Sequence, residues 1–188
     1  MSQTRLLALV GSLRAGSFNR QLAEAAAQTA PEGVEVEIYA GLADIPFYNE
    51  DIDVPGSLPA TASALRDAVA AADGLLLFVP EYNGTIPAAL KNAIDWASRP
   101  YGQGSIKDKP TAVVSASISS NAAKWSHGDT VKALGVAGAA VVESAHLHFG
   151  TINQRFAEAH PREDAEALTQ LAAAVRELVE ATKSRVNA

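Results

Sequence analysis

The sequence predicts an α/β fold, with a five-stranded parallel sheet between two layers of helices. Three observations carry this. Short continuous apolar runs of strand length, such as Leu6–Val10 and Leu75–Val79, alternate with stretches whose apolar residues recur at helical spacing. The alternation reads βαβαβαβαβα, which means a parallel sheet covered on both faces. Alanine fills 38 of the 188 positions, and its small side chain lets helices pack closely on a sheet.

The elements follow in order. Leu6–Val10, ended by Gly11, is a strand buried on both faces. Residues 18–30 form a helix with Leu22, Ala25, Ala26 and Thr29 on one side, stopped by Pro31 and Gly33. Val34, Val36 and Ile38 alternate with Glu35, Glu37 and Tyr39, the pattern of a half-exposed strand near an edge. Residues 41–57 are irregular, and Glu50, Asp51 and Asp53 read as a solvated acidic loop. Leu58, Ala62, Leu65, Val69 and Ala72 mark a second helix. Leu75–Val79 is the most apolar run and the central strand. After the loop Pro80–Ile86, Pro87 suits a first helical position with Thr85 as cap, and Leu90, Ile94 and Ala97 face inward. Thr111–Val114 is the fourth strand, 121–134 a helix, Ala139–His146 the fifth strand. Residues 162–183 form an amphipathic helix, with Glu163 and Asp164 at its start and Lys183 at its end to suit the dipole. Right-handed crossovers then favour the flavodoxin-like strand order 2-1-3-4-5. Length, with no linker or internal repeat, predicts a single domain over residues 1–188.

Composition excludes several function classes. The net charge of −6 disfavours nucleic acid or an anionic membrane as main partner. The absence of cysteine removes disulfides, thiolate metal sites and thiol redox chemistry. The first apolar run is too short for a signal peptide, and no stretch has the length of a membrane helix, so the expectation is a cytoplasmic protein.

In a sheet of this order, ligands bind at the carboxyl ends of strands 1 and 3, where the winding reverses. The loops there are 11–19 and 80–87. Gly11-Ser-Leu-Arg-Ala-Gly-Ser-Phe-Asn19 runs into a helix N-terminus, with free N–H groups and a positive dipole end, so it suits a phosphate. It matches neither the P-loop nor the dinucleotide fingerprint. A capped helix, with Ser17 or Asn19 as cap, is the structural alternative. Pro80-Glu-Tyr-Asn-Gly-Thr-Ile-Pro87 makes a stiff turn able to hold its backbone against a flat, polar-edged ring, although a plain βα connection would use similar residues.

Val10–Arg20 and the long stretch Pro80–Pro100 resemble the NADPH-dependent FMN reductase family, which includes quinone, azo-dye and chromate reductases; the similarity is close over residues 4–100. The resemblance implies FMN held without covalent attachment. Ser12, Leu13, Arg14, Ser17, Phe18 and Asn19 would surround its phosphate, and Pro80, Glu81, Tyr82, Asn83 and Gly84 would line the isoalloxazine. The family's third loop, usually rich in glycine, is here Ser115–Asn121 without any, where Ser115 and Ser117 would touch the ring edge. The resemblance further implies NADPH or NADH as hydride donor, ping-pong kinetics, small-molecule acceptors and a homodimer or homotetramer. No catalytic side chain is required. A flavodoxin-type electron carrier or a non-catalytic flavin-binding sensor are the alternatives.

His146 and His148 share a strand face but have no evident third ligand, so no metal is expected. Trp96 suits the core or a subunit interface, and Trp125 and Tyr101 would cover a flavin from a neighbouring subunit.

Overall fold

The computed structural model describes residues 3–186, the last without its side chain. Strands β1 (Thr4–Val10), β2 (Val34–Ile38), β3 (Gly74–Val79), β4 (Pro110–Ala116), β5 (Ala140–Val141) and β6 (Leu147–Phe149) form one parallel sheet. Its order is β2-β1-β3-β4-β5, with β6 also beside β4, and it is flavodoxin-like. Helices α1 (Phe18–Gln28) and α6 (Ala165–Val186) cover one face; α2 (Ala60–Ala71), α3 (Ala88–Ala97) and α4 (Lys124–Ala137) cover the other.

Two cores follow from the two-residue period of a strand. Leu6, Ala8 and Val10 of β1 point to the α1/α6 side; Leu7 and Leu9 point to the α2/α3/α4 side. All six residues of β3 are buried, and each leucine taken from water contributes about 1.5–3 kcal/mol. β2 lies at the sheet edge with Glu35 and Glu37 exposed, as its alternation predicts. Trp96 belongs to the core: it is fully buried, and its indole N–H donates to the Pro46 carbonyl at 2.8 Å.

Four local expectations are corrected. Asp53 is not solvated: Arg66 holds it in two hydrogen bonds of 2.8 and 2.7 Å, which lower its pKa and pin the acidic loop to α2. Thr85 does not cap α3. Pro87 occupies the N-cap position, and the Thr85 hydroxyl donates to Asp129.

The strand expected over Ala139–His146 is broken after β5. Residues 143–145 close a tight turn on their own hydrogen bonds, burying Ala145, and the chain rejoins β4 as β6. Helix α6 starts later than residue 162 because Asp164 accepts from the Ala167 N–H at 2.8 Å and so caps it. A further short helix, α5 (Ile152–Arg155), precedes it; its Arg155 grips Asp164 through two hydrogen bonds of 2.9 Å. None of the described helices is long and apolar enough to cross a membrane.

Candidate functional site

Parallel strands deliver three loops to one end of the sheet. Residues 11–17 follow β1, 80–87 follow β3 and 117–123 follow β4, so they meet at the carboxyl edge. The first two loops are in direct contact. A Cβ on Gly11 would lie 2.7 Å from Cγ of Pro87 and 3.0 Å from Cδ of Pro80. Only glycine lets the first loop pass between these two rigid rings.

The first loop is an anion cradle by its donors. Ser17 is the N-cap of α1 by position, yet its side chain makes no cap hydrogen bond. The N–H groups of Phe18, Asn19 and Arg20 begin the helix and have no intrahelical acceptors. The alternative of a side-chain-capped helix is therefore not what forms. Arg14 is exposed and in no ion pair among the described residues, and its Nη1 lies 3.2 Å from where a Gly16 Cβ would stand. A guanidinium and a helix N-terminus thus converge on one spot. The Phe18 ring turns away, 6.2 Å from Phe156 in the α1/α6 core, so only its backbone faces the loop. Asn19 is buried and donates through Nδ2 to the Ala116 carbonyl at the end of β4. Its Oδ1 is buried without a partner.

The second loop is a miniature hairpin. Tyr82 and Thr85 exchange backbone hydrogen bonds of 3.3 and 3.2 Å, and Asn83 and Gly84 at the corner have φ of 53° and 76°. Two successive left-handed residues make a type I′ turn, which Asn-Gly adopts most readily. Pro80 is buried beneath it, and the exposed Tyr82 reaches back to donate to Ser12 Oγ at 3.3 Å. Leu13 is exposed on the neighbouring loop.

The chain after the Ser115–Asn121 stretch adopts left-handed backbone without glycine. Ala122 and Ala123 both have φ of 57°, a conformation that costs an alanine roughly 1–2 kcal/mol each. Ser115 does not face the crevice. It is fully buried, its hydroxyl donates to the Ala122 carbonyl at 2.8 Å, and His148 Nδ1 lies 2.8 Å away as the remaining donor. Ser115 therefore holds the third loop in place. Ser117 donates to the Ser119 carbonyl within the loop.

Ser126, which no motif marked, ties α4 to the hairpin. The Ser126 hydroxyl donates to the Pro80 carbonyl at 2.9 Å, and its N–H donates to Glu81 Oε2 at 3.2 Å. Beside it, His127 meets both other histidines of the edge. His127 Nε2 lies 3.1 Å from His146 Nδ1, and the His127 and His148 ring centroids are 4.2 Å apart. Burial, then the neighbouring imidazoles, push the His127 pKa down to about 3. No group of three or more His, Asp or Glu among the described residues is arranged to hold a metal. Trp125 is exposed and lies against Gly84 of its own chain. Tyr101 lines a cavity of about 750 Å3 with Tyr48, Arg66 and Arg99, and a second one with Thr85, Ile86 and Asp129.

The groups present fit a phosphorylated flavin: a free cation and free N–H groups for the phosphate, and a rigid hairpin for a flat ring. The comparisons with known proteins agree. The family model described as NADPH-dependent FMN reductase matches residues 4–154. The chain belongs to this family. It is 47% identical over 118 residues to a quinone reductase of Pseudomonas putida, covering 62% of each chain. It is 43% identical over 114 residues to 2-hydroxy-1,4-benzoquinone reductase of a Burkholderia species, covering 61% of each. The chain thus spans about three-fifths of the length of these curated relatives. Among solved structures, it superposes with TM-score 0.76 and 28% identity on FerB, a flavoenzyme NAD(P)H:(acceptor) oxidoreductase from Paracoccus denitrificans, covering 96% of this chain and 98% of that one.

Proposed function

We propose that the protein is an FMN-dependent NAD(P)H oxidoreductase that passes reducing equivalents to quinones, flavins or similar small acceptors. The observation that carries this reading is the junction of an unpaired Arg14 over the open N-terminus of α1 with the Asn83-Gly84 hairpin, in a chain of the FMN reductase family. Bound FMN would supply the hydride chemistry.

The chain's residues supply position and electrostatics. Arg14 and the first-turn N–H groups of α1 neutralise the phosphate. Ser12, linked to Tyr82, keeps the phosphate loop in register with the hairpin. Gly11 sets the spacing between these loops. Ser126 holds Glu81 and Pro80, so the backbone of 80–84 presents fixed donors and acceptors to a polar ring edge. Asn19 binds α1 to the end of β4, which fixes the first loop's exit against the start of the third loop. No side-chain nucleophile or dedicated general acid is needed.

In this reading donor and acceptor meet the bound flavin in turn, and ping-pong kinetics are expected. Either NADPH or NADH serves as donor in this reading. A homodimer or homotetramer is the proposed assembly, with a cytoplasmic location. The test is spectroscopic. The purified protein, reconstituted with FMN, is mixed with NADPH or NADH without oxygen. Bleaching of the oxidised flavin band within seconds supports the reductase. A yellow protein inert to both nucleotides indicates an electron carrier instead. A protein that takes up no FMN refutes both.

A further inference from the structure

Four large apolar side chains are exposed around these loops, and two of them, Ile118 and Trp125, have no part in the phosphate or ring binding described above. Leu13, Tyr82, Ile118 and Trp125 are each at least half exposed, and they come from all three loops and the start of α4. They make up half of the large hydrophobic side chains exposed among the described residues, gathered at one end of the sheet. Such a concentration of exposed apolar surface marks a binding site.

The backbone at Trp125 is set from both sides. Its indole is 66% exposed, so its own packing does not account for it. Its next neighbour, Ser126, is fully buried and fixed to Pro80 and Glu81 by two hydrogen bonds. The left-handed pair Ala122-Ala123 turns the chain sharply into α4 just before it. The indole Cε3 lies 3.6 Å from the position of a Cβ on Gly84, so the six-membered ring rests on the corner of the hairpin. An exposed aromatic plane is thus held beside the loop assigned to the flat ring. Its own chain supplies it, with no neighbouring subunit required.

We infer that Trp125 is a specificity-determining residue for the electron acceptor, its indole forming the wall against which a flat, uncharged aromatic acceptor packs. The inference rests on the reductase reading and deepens it. Arg14 lies at the phosphate end and the exposed Lys124 flanks Trp125, but the exposed face of the indole is itself apolar. A neutral ring gains contact area there, and a small hydrated anion gains none.

The test uses the protein reconstituted with FMN and kept oxidised. 1,4-Naphthoquinone is then titrated by calorimetry with no donor present, so binding is read without turnover. Trp125→Ala is expected to weaken naphthoquinone binding about tenfold, whereas Trp125→Phe stays within about threefold of wild type. FMN affinity, read from flavin fluorescence, stays within about twofold in both variants. In turnover with NADPH, the preference for naphthoquinone over hexacyanoferrate(III), as a ratio of kcat/KM, falls about tenfold in Trp125→Ala.

Four results overturn the inference: naphthoquinone affinity unchanged in Trp125→Ala, no measurable binding to flavin-loaded wild type, FMN affinity falling in step with naphthoquinone affinity, or a change of oligomeric state by sedimentation with naphthoquinone binding intact. A wild-type protein that takes up no FMN refutes the underlying reductase reading, a result separate from these four.

Discussion

His127 offers a sharp test of the packing beneath the crevice. It lies on α4 with 8% of its surface exposed, in ring contact with His146 and His148. Its Nδ1 and the Nε2 of His146 are buried without partners. A proton added there would be a poorly solvated charge beside two more imidazoles. Burial first, then those neighbours, lower the folded-state pKa to about 3, against roughly 6.5 in the unfolded chain.

The sign follows. Above pH 6.5 both states are neutral and the stability is intact. As pH falls through 6.5 the unfolded state takes up a proton that the folded state refuses until about pH 3. Stability is therefore lost between those values. Between pH 7.5 and 5 the loss from His127 alone is about 2 kcal/mol. His146 and His148, also lowered chiefly by burial, act in the same direction. Glu143 opposes the effect at His146, and Lys124 adds to it at His148.

The assay is urea unfolding of wild type and His127→Gln at pH values from 8 to 4.5. Wild type should lose at least about 2 kcal/mol between pH 7.5 and 5, and the variant about 2 kcal/mol less than wild type does. Equal pH dependence in the two proteins, or wild-type stability rising toward acid, refutes the placement of His127 as a buried neutral imidazole.

The remaining predictions concern the loops. Arg14→Ala should reduce FMN affinity by ~1.5–3 kcal/mol, read by flavin fluorescence; unchanged affinity removes Arg14 from the phosphate cradle. Gly11→Ala forces its methyl onto Pro87 and Pro80, so it should cost about 1–3 kcal/mol in urea unfolding and weaken FMN binding as the two loops separate. Gly84→Ala meets only an ordinary 3.6 Å contact with Trp125, so its cost should be backbone strain alone, about 1–2 kcal/mol in thermal or urea unfolding. Ser126→Ala leaves the Pro80 carbonyl without its partner and should cost about 1–3 kcal/mol in the same assay, while the backbone N–H bond to Glu81 is kept.

Much of the fold was legible because strand and helix periods are local. Leu75–Val79 is apolar throughout and becomes the buried β3; Val34–Ile38 alternates and becomes an edge. The strand expected over Ala139–His146 is too long because only Ala139–Val142 is continuously apolar, and Glu143 and Ser144 interrupt the run. Its interruption at 143–145 depends on a turn whose Ala145 packs into the α1/α6 core. The Asn83-Gly84 turn could be read directly, since that dipeptide favours two left-handed residues. The left-handed Ala122-Ala123 could not, because alanine resists that conformation and only surrounding contacts impose it.

The absence of cysteine, the net charge, the strand order and the two loops at the switch point were properties of the chain alone, since composition and periodicity need no partner residue. What only the tertiary structure decided was which polar groups remain free. Ser17 fails to cap α1 and leaves its N–H groups open; Ser115 looks like a ligand in one dimension but spends its hydroxyl on Ala122. Ser126 and Trp125 carry no motif, yet they are brought to the hairpin, and His127 to His146 and His148, because α4 packs against β3 and β4. Hydrogen bonds between residues 45 positions apart, such as that from the Ser126 N–H to Glu81, are fixed by the packing of whole elements, and no local pattern encodes them.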